Sequence, residues 1–235
     1  MANAQGWAYD ASPALIATAH ERSQYHAADG IWATGPADFL KEAKRDAPTV
    51  VHAHGCQGIG WDEHYLTVFF KANKANVVLL DFLKRGVDAS CGSEPRVGGW
   101  PETSNPARIA ARRLELEHQI TWLKQQGFTN IFVSGHSEGG RTVQAVEQDV
   151  KAVFISGMDC KTENYRFWNP RKTNKVMVFL SRRDAWLNYP QGQIIGCAQF
   201  WNRSHVTGYW TDVPSHSPVS AFDEWKAAVR QALNP

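Results

Sequence analysis

Six short, mostly continuous apolar runs recur along the chain from residue 49 onward, and helical patterns separate several of them. The runs span 49–53, 76–81, 130–134, 152–156, 175–180 and 206–211. Runs of this length and continuity read as strands covered on both faces of a sheet. Helical patterns lie at 62–74, 106–126, 139–148 and 220–233. The second is the clearest: Asn105 suits an N-cap, Pro106 the first helical position, and Gly127 the left-handed residue that ends a helix. Ile109, Leu116, Ile120 and Leu123 share one face, with Glu115, His118 and Gln125 away from it. Alternating strands and helices imply an α/β architecture, a mainly parallel central sheet with helices on both faces and right-handed crossovers. Chemistry in such sheets collects at the carboxyl ends of the strands. Residues 1–45 are less regular: 12–24 and 36–43 fit helices, 30–35 fits a short extended piece, and no antiparallel pair of strands is legible there.

Size and charge narrow the class further. A chain of 235 residues, 43% hydrophobic and 20% charged, suits one domain over 1–235, with its regular core at 48–235. The formal charge of +2 and the lack of a basic run exclude a nucleic-acid or anionic-membrane footprint. No apolar stretch approaches the roughly 20 residues of a membrane-spanning helix, so a soluble protein is expected. Ten tryptophans imply either a large aromatic core or an aromatic-lined surface. Ala2-Asn3-Ala4 before Gln5 has the A-x-A form of a signal-peptidase site. The expectation is a periplasmic or secreted protein, with a cytoplasmic location as the alternative. Oligomeric state is not legible.

The strand ends carry the chemistry. After 130–134 comes Gly135-His136-Ser137-Glu138-Gly139-Gly140 and then a helix, the strand–turn–helix setting of a nucleophile elbow. A serine hydroxyl needs a base and an orienting acid from elsewhere in the fold. Asp184 follows the 175–180 strand, and His216 lies between the last strand and the last helix. Asp159 is the alternative acid, while Asp212 and Asp81 read as strand-end residues. Among the other histidines, His136 is held inside the elbow, and His52 and His54 sit in the first clear strand and its loop. An oxyanion hole needs two N–H donors, each worth roughly 3–4 kcal/mol on removal. The backbone of Glu138 supplies one. The glycine-rich loop after 49–53 supplies the other, from Cys56 or, second, Gln57. No metal or organic cofactor is implied.

With the elbow, His54-Gly55, Asp184 and His216 in this order, residues 48–235 resemble the α/β-hydrolase superfamily. The segments His54-Gly55-Cys56-Gln57-Gly58 and Asp81-Phe82-Leu83-Lys84-Arg85-Gly86, followed by Cys91, look like its dienelactone-hydrolase-related branch. That branch's namesakes use a cysteine nucleophile, whereas this chain has Ser137, which favours ordinary ester chemistry. The resemblance implies a serine hydrolase cleaving carboxylic esters of small or accessible acyl groups through an acyl-enzyme. A lactonase or small peptidase is the alternative among enzymes, and a ligand-binding module the alternative outside them. It also implies disulfides Cys56–Cys91 and Cys160–Cys197, the first bracing the oxyanion loop. The 157–174 segment is too short for the helical cap common in the superfamily, so the cleft is expected to be open, with Gln57, Trp61, Trp100 and Trp186 on its walls. Such a cleft could admit a small ester, one end of a polymer or an acylated sugar.

Overall fold

A computed structural model describes residues 13–29, 32–33, 35–82, 106–144, 146–158, 174–185, 204–217 and 223–234. The expectations placed on Trp100, Trp186, Asn105, Asp159, Cys91, Cys160 and Cys197, and on most of 157–174, fall outside these residues.

Continuous apolar runs became strands where expected. β3 is Thr49–Ala53, β4 Asn76–Leu80, β5 Ile131–His136, β6 Ala152–Ser156, β7 Lys175–Ser181 and β8 Val206–Thr211. Every residue of β3, β4, β5 and β6 is buried, as two-sided coverage requires. They form the parallel part of a sheet with order β4-β3-β5-β6-β7-β8. The chain goes from β3 outward to β4 on one side and to β5 on the other. The topological switch point therefore lies between the carboxyl ends of β3 and β5, where ligands bind in open α/β sheets.

In the N-terminal segment the expected helices and extended piece are present, and the difference from expectation is an antiparallel pair of short strands. Helices α1 (Pro13–Ala17) and α2 (Ala19–Arg22) end at Ser23, which is extended at φ −69° and ψ 154°. β1 (Gln24–His26) then runs antiparallel to β4, and β2 (Trp32–Ala33) runs antiparallel to β1, so residues before 45 complete an eight-stranded sheet. Strands of three and two residues are too short to display a period of two. Helix α3 (Pro36–Glu42) follows with Pro at its start.

Helices cover both faces. Val50, Val77, Leu79, Phe132, Phe154 and Phe179 meet α4 (Trp61–Ala72) and the C-terminal α7 (Asp223–Leu233) through Leu66, Phe69, Phe70, Trp225, Val229 and Leu233. The alternate residues Val51, Val78, Val133, Val153 and Val178 meet α5 (Pro106–Gln125) through Leu116, Ile120 and Leu123. Gly127 ends this segment at φ +88°. Glu115, expected on the outer side of α5, is instead buried and pairs with Arg22 at 3.2 Å, because α1 and α2 pack over that side. The elbow helix α6 spans only Glu138–Val143 rather than 139–148. Two glycines and the β-branched Thr142 and Val143 give it little intrinsic helix propensity. Among the described residues, no helix is long and apolar enough to cross a membrane.

Candidate active site

Ser137 sits between β5 and α6 with φ 57° and ψ −119°, a conformation that L-residues rarely adopt. Its N–H donates to Ser156 O at 2.8 Å, which ties the turn to the end of β6. The flanking glycines are there for close approach. A Cβ at Gly139 would lie 1.9 Å from Ala53 O, and one at Gly135 would lie 2.3 Å from Gly139 O. Backbones of β3, β5 and α6 thus touch with no room for a methyl group, and the turn projects Ser137 at the switch point.

Asp184 and His216 arrive from β7 and β8. The Asp184 side chain is fully buried, and its Oδ2 lies 2.8 Å from His216 Nδ1. A carboxylate only accepts, so the shared proton is on Nδ1, and Nε2 is left as the basic atom of the neutral ring. The Ser181 hydroxyl fastens the two loops together, donating to Val213 O and accepting from Arg183 N–H. Asp212, the carboxylate nearest to His216 in sequence, is exposed and pairs with Arg182 at 3.3 Å.

The loop after β3 closes the arrangement. A cleft of about 270 Å³ lies between this loop, the start of α4 and the elbow. Ser137, His216, Cys56, Gln57 and Trp61 all line it. Glu138, the residue after the nucleophile, opens α6 and is buried. A Cβ at Gly55 would lie 3.3 Å from Ser137 Cβ and 3.7 Å from its Oγ, so the loop passes directly beside the serine. Among the described residues no group of three or more His, Cys, Asp or Glu is placed to hold a metal ion.

No family sequence model and no curated protein sequence matches the chain. Solved structures do match. A Klebsiella pneumoniae protein provisionally assigned as a dienelactone hydrolase superposes with TM-score 0.60 at 14% identity, covering 81% of this chain and 86% of its own. The Pyrococcus furiosus esterase Pf2001 superposes with TM-score 0.55 at 17% identity, covering 80% of each chain. Est1E from Butyrivibrio proteoclasticus, solved with ferulic acid bound, superposes with TM-score 0.54 at 10% identity, covering 90% of this chain and 91% of its own. The chain has the α/β-hydrolase fold.

In this α/β-hydrolase fold the loop after β3 is held by buried charges that the sequence did not single out. Arg112 of α5 donates to His54 O at 2.6 Å and pairs with Glu138 Oε1 at 2.9 Å, both side chains being at most 3% exposed. Its guanidinium also stacks 4.1 Å over the Phe82 ring. His54 Nε2 accepts from Phe82 N–H at 3.2 Å, and its Nδ1 proton goes to Gly55 O. Burial and the adjacent Arg112 charge hold this imidazole neutral, well below the ordinary histidine range. At the other end of the loop, Glu63 accepts from Gly60 N–H at 2.8 Å and from Gly55 N–H at 3.4 Å. Burial alone would raise its pKa, but the His52 imidazole and the Gly60 N–H outweigh that and hold the carboxyl well below its usual range. Glu63 is the third residue of α4 and its carboxylate reaches back to the Gly60 N–H, the acidic half of a capping box; a glutamate three residues after a helix-starting glycine was the signal available for it. Nothing comparable marks Arg112, which α5 brings in from a distant part of the chain.

His136 and Gly157 complete the surroundings. The His136 ring meets that of His216 edge-on, with centroids 5.0 Å apart, and its Nδ1 lies 3.1 Å from Ser156 Oγ. Burial and the neighbouring His216 push its pKa well down, so it is a neutral imidazole. Gly157, at φ +56°, leaves space for both rings' loops: a Cβ there would lie 2.5 Å from His216 O and 2.6 Å from His136 Cε1.

Proposed function

We propose that the chain is a serine hydrolase that cleaves carboxylic esters through an acyl-enzyme, with Ser137 as nucleophile, His216 as base, Asp184 as orienting acid and the N–H groups of Cys56 and Glu138 as the oxyanion hole. The observation that carries this reading is the 2.8 Å contact between the buried Asp184 carboxylate and Nδ1 of His216, whose ring lines the same cleft as Ser137. His216 Nε2 takes the Ser137 proton as Oγ bonds to the ester carbonyl carbon. The resulting oxyanion is met by donors on the two loops that flank the serine. The imidazolium, stabilised by Asp184, gives its proton to the leaving alcohol as the C–O bond breaks. Water then attacks the acyl-serine by the same route in reverse, releasing the acid and free Ser137. The esterases among the structural neighbours support an ester substrate.

The Cys56–Cys91 bridge belongs to the same proposal. What supports it is that Cys56, beside the proposed oxyanion hole, is not a free thiol. Intact mass with and without reductant tests both this bridge and Cys160–Cys197.

Ser137→Ala is expected to lower the kcat for a short p-nitrophenyl ester by at least about 10⁴-fold. A fluorophosphonate probe is expected to label wild-type Ser137. A Ser137→Ala variant at the wild-type rate overturns the mechanism, and a folded wild-type chain that neither reacts with the probe nor cleaves the ester overturns the reading and leaves a binding module.

A further inference from the structure

We propose that the cleft beside Ser137 contains a hydroxyl-recognising subsite, formed by Asp62, His136 and Trp61, that selects esters whose alcohol half is a polyhydroxylated ring over plain alkyl esters. The proposal rests on the ester-hydrolase reading above and adds the substrate class.

Geometry within the cleft carries it. Asp62 Oδ2 lies 4.0 Å from His136 Nε2, beyond direct hydrogen-bonding distance. One oxygen atom about 2.8 Å from each partner spans that separation at an angle of about 90°, within the range of a hydroxyl. The carboxylate favours the tautomer with the proton on Nε2, the Ser156 hydroxyl then donating to Nδ1. A substrate hydroxyl accepts from Nε2–H and donates to the carboxylate. Neither group does the same for a methylene, and an alkyl chain laid there strips water from a carboxylate without replacing it. Burial already raises the Asp62 pKa, which marks a carboxyl short of solvation.

Position assigns the subsite to the alcohol half. His216 returns its proton to the leaving alcohol, so that half of the ester lies on the His216 side. Asp62 is on that side as well, accepting from the hydroxyl of Ser217, the next residue along. At the rim, Trp61 is 68% exposed, and one face of its indole is backed by Tyr65, with ring centroids 5.6 Å apart and planes 25° from parallel. A lone exposed tryptophan signifies nothing. One held by a stacked partner, lining the cleft and adjacent in sequence to the hydroxyl-binding carboxylate, gives a flat apolar surface for the C–H face of a sugar ring whose hydroxyl reaches Asp62.

The test compares 6-O-acetylglucose with cyclohexylmethyl acetate, which keeps the ring and the ester and lacks the hydroxyls. For the wild-type chain, kcat/KM is expected to be at least tenfold higher for the sugar ester. Asp62→Ala is expected to shrink that preference at least tenfold, and Trp61→Ala to raise KM for the sugar ester several-fold. The wild-type comparison reads the proposal without any variant, and Trp61 is exposed enough that its replacement does not threaten folding. Equal or reversed preference in the wild type, with both esters cleaved, overturns the subsite and leaves the ester-hydrolase reading standing. A preference that survives Asp62→Ala also overturns the subsite. Cleavage of neither ester, with Ser137 unlabelled by a fluorophosphonate, overturns both.

Discussion

Glu63 makes two contacts with one carboxylate, accepting from the backbone N–H groups of Gly55 and Gly60 and so holding the loop between them against the start of α4. Charge-assisted bonds of this kind are roughly twice as strong as neutral ones. Glu63→Gln keeps the shape and loses the charge, and only its single amide oxygen is left to accept. Because this loop lies against Ser137, a displaced amide affects the reaction more than binding. The kcat is expected to fall on the order of 10- to 100-fold with KM changed less than threefold, in steady-state kinetics on a p-nitrophenyl ester. Glu63→Asp, which keeps the charge at a shorter reach, is expected to recover part of the loss.

At the scale of elements, Arg112 is the point where α5, the loop after β3 and α6 meet. Arg112→Met removes the guanidinium that pairs with the buried Glu138 carboxylate and is expected to cost about 3–5 kcal/mol of stability in urea unfolding. The double variant Arg112→Met/Glu138→Leu removes both charges and is expected to recover most of that stability. This scale also separates what could be read from the sequence. The parallel strands and the elbow were legible because their signals are local: unbroken apolar runs, and glycines two residues either side of a serine. β1 and β2 were not, since five residues in two pieces carry no period. Arg112, Glu115 and Gln119 were not either, because polar side chains buried in α5 look from sequence alone like a solvated face. Asp184 and His216 could be named by strand order, but their contact follows from β7 and β8 lying side by side.

For the whole molecule, the buried histidines set the response to acid. Burial lowers the His26 pKa from 6.5 to about 4, and burial with neighbouring positive groups depresses His54 and His136 as well. Each is neutral when folded and takes up a proton on unfolding once the pH is below the unfolded value of about 6.5. The unfolded state therefore binds more protons, and stability falls as pH falls from about 6.5 toward 4. Each group adds about 1.4 kcal/mol per pH unit to the slope. Glu63 acts with the same sign at lower pH, since its depressed pKa contributes stability that is lost as the pH drops below the ordinary glutamate value. These three histidines are expected to contribute an uptake of about three protons to urea unfolding near pH 5 that is largely lost by pH 7, and His26→Gln to reduce it by about one.

The cation shared by the two flanks of Ser137 bears on how separable the machinery is. Arg112 is 58 residues from His54 in the chain, and among the described residues none of its helix lines the cleft. An engineer who transplants the elbow, the loop after β3 with the start of α4, and the His216 loop into another sheet carries every described residue that lines the cleft and leaves this one behind. The graft would then lack the guanidinium that pairs with the buried Glu138 carboxylate and ties it to the His54 carbonyl, and the two loops would lose that tie. In this chain the portable unit is larger than the visible site, and α5 is part of it.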